Sequence, residues 1–318
     1  MPEPLLQTVE LVKSFRVRRG LFSQQRLRLV AVDRVSLELA EGETLGLVGE
    51  SGCGKTTLGL TIMQLYEPTS GQVLFGGRNI VGLQGSALQQ VRRQMQMIFQ
   101  DPFASLDPRL TVEQIICEPL DIHNIGTPRE RAAEARRLLE IVGLSEDALG
   151  RFPNEFSQQR IGVARALALQ PKLLICDEPV SALDVSVQAQ ILNLLRDLQA
   201  RFNLAYLFIS HNIAVTAFMS RRIGVMYLGR LVEIGLTREI IDHPLHPYTQ
   251  ALLAAVPEPD PTIKRRKRGL TGDVPSPIDR PPGCPFHPRC PLAQARCREE
   301  EPQLREMAPL HEVACHYA

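Results

Sequence analysis

A glycine-rich segment near the start of the chain has the composition and spacing of a phosphate-binding loop. Its residues match the pattern G-x-x-x-x-G-K-[ST] in full: Gly49, Glu50, Ser51, Gly52, Cys53, Gly54, Lys55 and Thr56. Glycines let the backbone curl so that successive N–H groups point at a phosphate, with the positive end of the following helix behind them. Lys55 would lie between the β- and γ-phosphates, and Thr56 would offer a hydroxyl to Mg²⁺. The segment therefore predicts a site for ATP, which we extend to Thr57; we interpret Cys53 as a small side chain in the loop.

Two adjacent carboxylates, Asp177 and Glu178, follow an apolar run of strand length at 173–176. Asp177 would hold Mg²⁺ directly or through water, and Glu178 would polarise a water molecule for in-line attack on the γ-phosphate. This pattern alone is common at strand ends. It gains specificity from the segment 179–184 and from a second apolar run that ends at His211. Together these features predict hydrolysis of the nucleotide as well as binding.

Continuous apolar runs indicate the elements that position these residues. Uninterrupted apolar strands are typical of a sheet whose two faces are covered by helices, as in α/β proteins. A helical pattern follows Lys55, and another spans 129–142. The segments predicted as strands are 28–39, 44–48, 173–176 and 206–209. The expected fold class is therefore α/β.

From about residue 5 to residue 249 the sequence resembles the nucleotide-binding domain of ABC transporters. The resemblance implies a P-loop ABC ATPase core at 1–245, an inserted helical subdomain at about 90–165, and a small Cys-rich C-terminal extension at 246–318. A shift to Pro-, Gly- and Arg-rich composition from about residue 257 agrees with a boundary near this point. We interpret the basic run at 264–268 as a solvated linker.

The resemblance also implies roles for single residues. Gln100 corresponds to the glutamine that ligates Mg²⁺ and senses the transmembrane partner. His211 corresponds to the histidine that contacts the γ-phosphate, and Asp184 ends the D-loop. Phe15 takes the place of the aromatic ring that stacks on adenine, with an ordinary core position as the alternative. The implied catalytic group is therefore Glu178, Gln100 and His211.

Longer motifs are similar to those of the oligopeptide/dipeptide/nickel importers. They are GESGCGKTTLG, FQDPFASLDP, EPVSALDVS, HPYTQALL and GCPFHPRCP. The sequence around the phosphate loop looks like the second (F-type) ATPase of the heterodimeric pair. The resemblance implies a D-type ATPase partner, two transmembrane permease subunits, an external substrate-binding protein, and a peripheral position on the cytoplasmic face of the membrane. Import of nickel or glutathione stays open, as does a soluble ABC ATPase; retention of Glu178 and His211 argues against a purely nucleotide-sensing regulator.

The signature motif departs from the family pattern of Leu/Phe-Ser-Gly-Gly-Gln. Phe156 and Ser157 are followed by Gln158-Gln159-Arg160, and three residues are missing before Ile161. In the family, the signature serine, which corresponds to Ser157, and the two glycines contact the γ-phosphate of the ATP bound to the opposite subunit. Three residues of helix correspond to about 300° of rotation and about 4.5 Å of rise. We therefore expect a defective signature.

Four of the seven cysteines, Cys284, Cys290, Cys297 and Cys315, lie near the C-terminus. In a reducing compartment such a group favours metal or iron–sulfur ligation over disulfides. The spacing differs from the C-x-x-C pattern of structural zinc, and four thiolates suit either zinc or a [4Fe–4S] cluster. Subunits that this tail resembles carry a [4Fe–4S] cluster, and the resemblance implies one here. The alternative ligands are His287, His311 and His316.

The bulk composition favours no nucleic-acid or membrane-spanning role. The 36 basic and 35 acidic residues give a net charge of +1, so no global charge indicates nucleic acid. No apolar stretch approaches the roughly 18 residues that span a bilayer. Glu3, Glu10 and Lys13 argue against a secretory signal. We therefore expect membrane association only through partner subunits.

Overall fold

The computed structural model describes residues 3–18, 26–101, 105–256 and 272–318. The basic run at 264–268 and residues 102–104 of the FQDPFASLDP motif lie outside the described residues. The chain forms two compact units: one comprises 1–40, 44–82 and 208–318, and the other comprises 41–43 and 83–207. Of the chain boundaries between them, the one at 207/208 falls within a strand.

The first unit contains most of the strands. Its strands are β1 Leu6–Arg18, β2 Arg26–Leu39, β3 Thr44–Val48, β4 Ser70–Phe75, β5 Arg78–Asn79, β9 Arg222–Tyr227, β10 Arg230–Leu236, β11 Arg305–Ala308 and β12 His311–Val313. One sheet has the order β2-β1-β4-β5, with antiparallel pairing of β1 to β2 and to β4. The other strands of this unit lie in the order β11-β12-β10-β9-β3 within a second sheet. In it, β3 and β9 are parallel, whereas β9 and β10 are antiparallel.

The helices of this unit are short. They are α1 Lys55–Ile62, α7 Ile213–Met219, α8 Thr237–Asp242, α9 Pro247–Ala254 and α10 Ala295–Glu299, with a 3₁₀ turn at His287–Arg289. Apolar side chains of α7, α8, α9 and α10 join Val48 and Val225 of the central strands in a core that also contains Phe286. The C-terminal extension therefore packs into the core of the first unit.

A buried carboxylate fixes the extension to this unit. Glu233 on β10 has no exposed surface. Its oxygens accept hydrogen bonds from the backbone N–H groups of Leu245 and His246, at 2.7 and 3.0 Å, and lie 2.8 Å from His311 Nε2 on β12. A buried charge is tolerated only when it is fully hydrogen-bonded, so this arrangement needs all three segments in place.

The second unit is mainly helical. Its elements are α2 Gly85–Gln94, β6 Met95–Ile98, α3 Val112–Ile122, α4 Pro128–Ile141, α5 Gln158–Leu167, β7 Leu173–Asp177 and α6 Val185–Phe202, with 3₁₀ turns at Glu146–Ala148 and Pro153–Glu155. Strands β6 and β7 are parallel. Capping boxes at Thr111 and Thr127 satisfy backbone N–H groups at the first turns of α3 and α4. β8, Ala205–Ser210, contains the last of the chain boundaries with the first unit.

The structure confirms the strands expected at 44–48, 173–176 and 206–209, all of them completely buried. Within the predicted helical subdomain at 90–165, helices α3 and α4 lie in full, α5 begins there, and β6 is also present. None of the helices in the described part of the chain combines the length and apolar character needed to cross a membrane.

Candidate functional site

The phosphate-binding loop connects β3 to α1 in the first unit. Lys55, the first residue of α1, is only 4% exposed, and its ammonium donates to the backbone oxygens of Gly49 at 2.7 Å and Glu50 at 3.1 Å. Ser51, Gly52 and Thr56 are exposed, and Thr57 is partly buried. A lysine held inside the loop beside a helix N-terminus gives a concentration of positive charge suited to a phosphate.

Glycine is required at two loop positions because neighbouring backbone approaches closely. Gly54 has φ +106°, and a Cβ there would lie 2.1 Å from the carbonyl oxygen of Ala31. A Cβ on Gly49 would lie 2.2 Å from the carbonyl oxygen of Met226. The loop therefore packs against β2 and β9 through glycine contacts that no other residue permits.

Cys53 is a structural residue of the loop. Its side chain is buried, its sulfur lies 3.6 Å from Lys55 Nζ, and burial raises the pKa of the thiol. A buried thiol with a raised pKa is a poor nucleophile at neutral pH. This geometry agrees with the interpretation of Cys53 as a small packing side chain.

Two other residues assigned to the nucleotide lie on the first unit. Phe15 on β1 is partly buried and packs edge-to-face on Tyr66, with ring centroids 5.3 Å apart. Lys13 Nζ lies 5.0 Å from the Phe15 ring centre. His211 is exposed directly after β8, and the next residue, Asn212, caps α7 by accepting from two backbone N–H groups.

The second unit places the predicted catalytic carboxylate beside the predicted glutamine. Gln100 Nε2 donates to Glu178 Oε2 at 3.2 Å. Asp177 is 2% exposed at the end of β7, whereas Glu178 is partly exposed. Glu178 has φ +46°, in the left-handed region that few non-glycine residues adopt. Such backbone strain is concentrated at functional sites, where surrounding contacts hold it in place.

The segment 181–184, which corresponds to the D-loop, is a tight turn before α6. Ser181 donates to the carbonyl oxygen of Glu178 through both its backbone N–H and its hydroxyl, at 3.3 and 3.1 Å. Asp184 is exposed at the N-cap of α6. The turn therefore links the position of Asp184 to that of Glu178.

The altered signature lies at the start of α5. Ser157 is the N-cap residue, and its side chain makes no capping hydrogen bond within the described structure. Gln159 is 4% exposed. Across the described residues, no hydrogen-bond partner is present for Gln158 Oε1 or Gln159 Nε2, both of which are buried. Glutamine side chains thus occupy space at the helix start where the family pattern has glycines.

The four C-terminal cysteines line one pocket in the extension, together with Phe286, Leu292 and His316. Burial raises the pKa of Cys284 to about 11 and also raises the pKa of Cys290 and Cys315. Among the described residues, no three His, Cys, Asp or Glu side chains are arranged to hold a single metal ion. The thiols therefore share a pocket without converging on one point.

Contacts between the extension and the phosphate loop were absent from the sequence-based prediction. Arg289 and Tyr248 both bind Glu50, the second residue of the loop. Tyr248 was noted only as part of the HPYTQALL motif, and Arg289 only as part of GCPFHPRCP. The position of Arg289 directly before Cys290 is a weak sequence signal, because Arg296 and Arg298 flank Cys297 in the same way.

A phosphate-binding loop between a buried strand and a helix, in a mixed α/β chain, is the architecture of P-loop ATPases, and this protein has it. Comparison with known proteins identifies the family within the P-loop ATPases. Residues 32–181 match the ABC transporter family model, and residues 232–297 match the model for the oligopeptide/dipeptide transporter C-terminal region.

Relatives match the chain over nearly its whole length. The oligopeptide transport ATP-binding protein AppF of Bacillus subtilis is 52% identical over 99% of this chain and 97% of its own length. A Brucella ovis protein named for peptide import is 49% identical over 98% of this chain and 97% of its own length. The dimeric, post-hydrolysis structure of the ATP-binding cassette MJ0796 with ADP and Pi is 28% identical, with a TM-score of 0.65 over 73% of this chain and 99% of that one. The chain therefore belongs to the ABC transporter family, in the group of ATP-binding subunits with the oligopeptide/dipeptide transporter C-terminal region.

Proposed function

We propose that this protein is the ATP-hydrolysing motor subunit of a bacterial ABC importer for di- or oligopeptides. The observation that carries the proposal is the enclosed Lys55, whose ammonium is held against the loop carbonyls of Gly49 and Glu50. The phosphate oxygens of ATP would replace these carbonyls as acceptors. Relatives named for oligopeptide transport and peptide import support the substrate class.

The proposed reaction uses this chain's residues in three roles. The loop N–H groups, Lys55 and Thr56 bind and orient the triphosphate. Thr56, Gln100 and Asp177 would hold Mg²⁺, which neutralises phosphate charge when bound. Glu178 accepts a proton from the attacking water, and His211 contacts the γ-phosphate. Closure and reopening around ATP would drive a pair of permease subunits between inward- and outward-facing states.

The partners follow from the same proposal. The dimeric MJ0796 cassette supports binding of ATP at an interface between two ATPase subunits. We propose a D-type ATPase as the second subunit, two transmembrane permeases, an external substrate-binding protein, and a peripheral position on the cytoplasmic face of the membrane. Nickel or glutathione import is the alternative cargo. Identification of the binding protein that co-purifies with the assembled complex would distinguish these cargoes.

Replacing Lys55 tests the nucleotide site directly. Lys55→Ala removes the ammonium that would lie between the β- and γ-phosphates, so ATP affinity should fall by about tenfold or more. Titration with a fluorescent ATP analogue measures the effect. The exposed Lys172, which pairs with Glu41, provides the control variant Lys172→Ala. Parental affinity in Lys55→Ala would contradict the proposed site.

We also propose that Cys284, Cys290, Cys297 and Cys315 ligate a [4Fe–4S] cluster. The proposal is supported by the shared pocket, which has four sulfur donors in a largely apolar setting. Each thiolate of such a cluster binds a different iron, so the four need not converge as they would on one zinc ion. When bound, the cluster would cross-link four segments of the extension, and these cysteines would hold it as thiolates.

Protein purified without oxygen should be brown, with the broad visible absorption of thiolate-ligated iron and about four irons per chain. Cys290→Ser should lose most of the colour because one of the four ligands is gone. Cys117→Ser is the control, since Cys117 is buried in the second unit beside Arg131. Colourless protein with stoichiometric zinc would contradict the proposal.

A further inference from the structure

The C-terminal extension makes direct contact with the phosphate-binding loop at one residue, Glu50. The guanidinium of Arg289 binds both Glu50 carboxylate oxygens, with Nη1–Oε2 and Nη2–Oε1 distances of 2.7 and 3.0 Å. The hydroxyl of Tyr248 accepts from the Glu50 backbone N–H at 2.8 Å. We propose that Arg289 and Tyr248 are positioning residues for ATP, acting through Glu50. The inference rests on the proposed function of the loop.

The negative charge of Glu50 is the first reason to assign this role to Arg289. Glu50 puts a carboxylate into a loop that has to receive a triphosphate, and like charges at short range oppose each other strongly where solvent is excluded. Arg289 offsets that charge from a nearly enclosed position, because its side chain is 5% exposed whereas that of Glu50 is 27% exposed. Bidentate arginine–carboxylate pairs are also among the more strongly directional hydrogen-bonded pairs in proteins. Arg289 therefore both neutralises the Glu50 side chain and fixes its direction.

The hydrogen bonds of the Glu50 backbone are the second reason, and they concern Tyr248. The Glu50 N–H is held by Tyr248, and the Glu50 carbonyl oxygen accepts from Lys55 Nζ at 3.1 Å and from the Cys53 N–H at 3.2 Å. The peptide groups on both sides of Glu50 are thus oriented. An anion-binding loop works when its N–H groups already point at the ligand, because less ordering remains to be done on binding. Tyr248, which lies outside the loop, orients the peptide group that precedes Glu50.

The anchor for these contacts is an aromatic cluster formed largely by the extension. Tyr248 has no exposed surface, and its ring centre lies 4.8 Å from that of Tyr227 and 5.4 Å from that of Phe286. Arg289 ends the 3₁₀ turn that follows Phe286, and its guanidinium carbon lies 5.9 Å from the Tyr227 ring centre. The packing of this turn between Cys284 and Cys290 therefore determines where the guanidinium meets the loop.

Substitution of Arg289 in the full chain tests the proposal. Arg289→Ala leaves the Glu50 carboxylate without its partner, and affinity for a fluorescent ATP analogue should fall about tenfold, within the usual range for coupled sites. Arg289→Lys keeps the charge without the planar fork and should recover part of the loss. Arg296→Ala is the matched control, because Arg296 pairs in the same bidentate manner with Glu300 in the extension but is 55% exposed. It should bind ATP as the parent does.

Making Arg289→Ala in a Glu50→Gln protein distinguishes a positioning role of Arg289 from an effect on the general stability of the protein. With the carboxylate removed, Arg289→Ala should change ATP affinity by less than about twofold, because the two substitutions act on one interaction. An equal loss in both backgrounds would overturn the proposal. Parental affinity in Arg289→Ala, with binding lost in Lys55→Ala, would also overturn it while leaving the proposed function intact. Parental affinity in Lys55→Ala would instead contradict the proposed function. If Arg289→Ala does not fold, Arg289→Lys and Glu50→Gln provide the same comparison.

Discussion

Glu178→Gln should bind ATP with parental affinity and hydrolyse it about a thousandfold more slowly, within the range attributed to general acid–base catalysis. Glutamine has the shape of glutamate but cannot accept a proton from the attacking water. Its amide oxygen can still accept from Gln100 Nε2, which lies 3.2 Å from Glu178 Oε2 in the parent. The left-handed backbone at this residue is equally demanding for both side chains. The substitution therefore removes the base and leaves the local structure.

Single-turnover hydrolysis and analogue titration measure the rate and the affinity separately, both in the assembled transporter, where the proposed partner ATPase supplies an intact signature. Because ATP persists in the variant, we also expect the closed heterodimer to accumulate, detectable by size-exclusion chromatography with ATP and Mg²⁺. Glu41→Gln is the control: Glu41 belongs to the same unit and pairs with Lys172 at an exposed position. Hydrolysis of ATP by Glu178→Gln at the parental rate would remove Glu178 from the role of base.

Local patterns in the sequence were sufficient for the elements that carry the chemistry. The run Thr44–Val48 is apolar without alternation, which is typical of a strand buried on both faces, and the structure buries all of it. The helical pattern at 129–142 corresponds to the helix Pro128–Ile141, which begins after a capping box at Thr127. These features depend on residues close together in the chain, so they can be inferred without knowledge of the three-dimensional fold.

Long-range contacts could not be inferred in this way. Arg289 and Glu50 are 239 positions apart, and nothing in either local sequence indicates the other. Arg280 likewise donates to Asp33 across 247 positions. Such pairs arise only when the fold brings the extension next to the loop and to β2, and strand order is not encoded in apolar periodicity. The clustering of four cysteines predicted a shared site, but its apolar lining by Phe286 required the structure.

Restoring Gly-Gly-Gln after Ser157 should raise ATP turnover strongly in the assembled transporter. In the family to which this chain belongs, each ATP is held by the phosphate loop of one subunit and the signature of the other. This chain keeps Lys55 and Glu178, so we expect its own nucleotide to be hydrolysed when a partner supplies an intact signature. The partner's nucleotide would instead face Ser157 and the side chains of Gln158 and Gln159.

Two consequences follow for the unmodified protein. A heterodimer with the proposed D-type partner should have one competent and one impaired site, and a homodimer of this chain should have almost no ATPase activity. The insertion returns backbone N–H donors to the γ-phosphate as charge develops there, and loss of one such donor typically costs about a hundredfold or more in rate. The homodimer should therefore show the larger relative gain, measured as phosphate release at saturating ATP.

An insertion of Ala-Ala-Gln at the same point separates length from glycine chemistry. It restores the three missing residues and the register of the following helix, but its side chains prevent the close backbone approach that glycine allows. We expect it to recover far less activity than Gly-Gly-Gln. Equal recovery by both insertions would show that helix register alone limits the parent. Unaltered turnover after the Gly-Gly-Gln insertion, in both the homodimer and the assembled transporter, would show that the shortened signature at Ser157 does not impair hydrolysis.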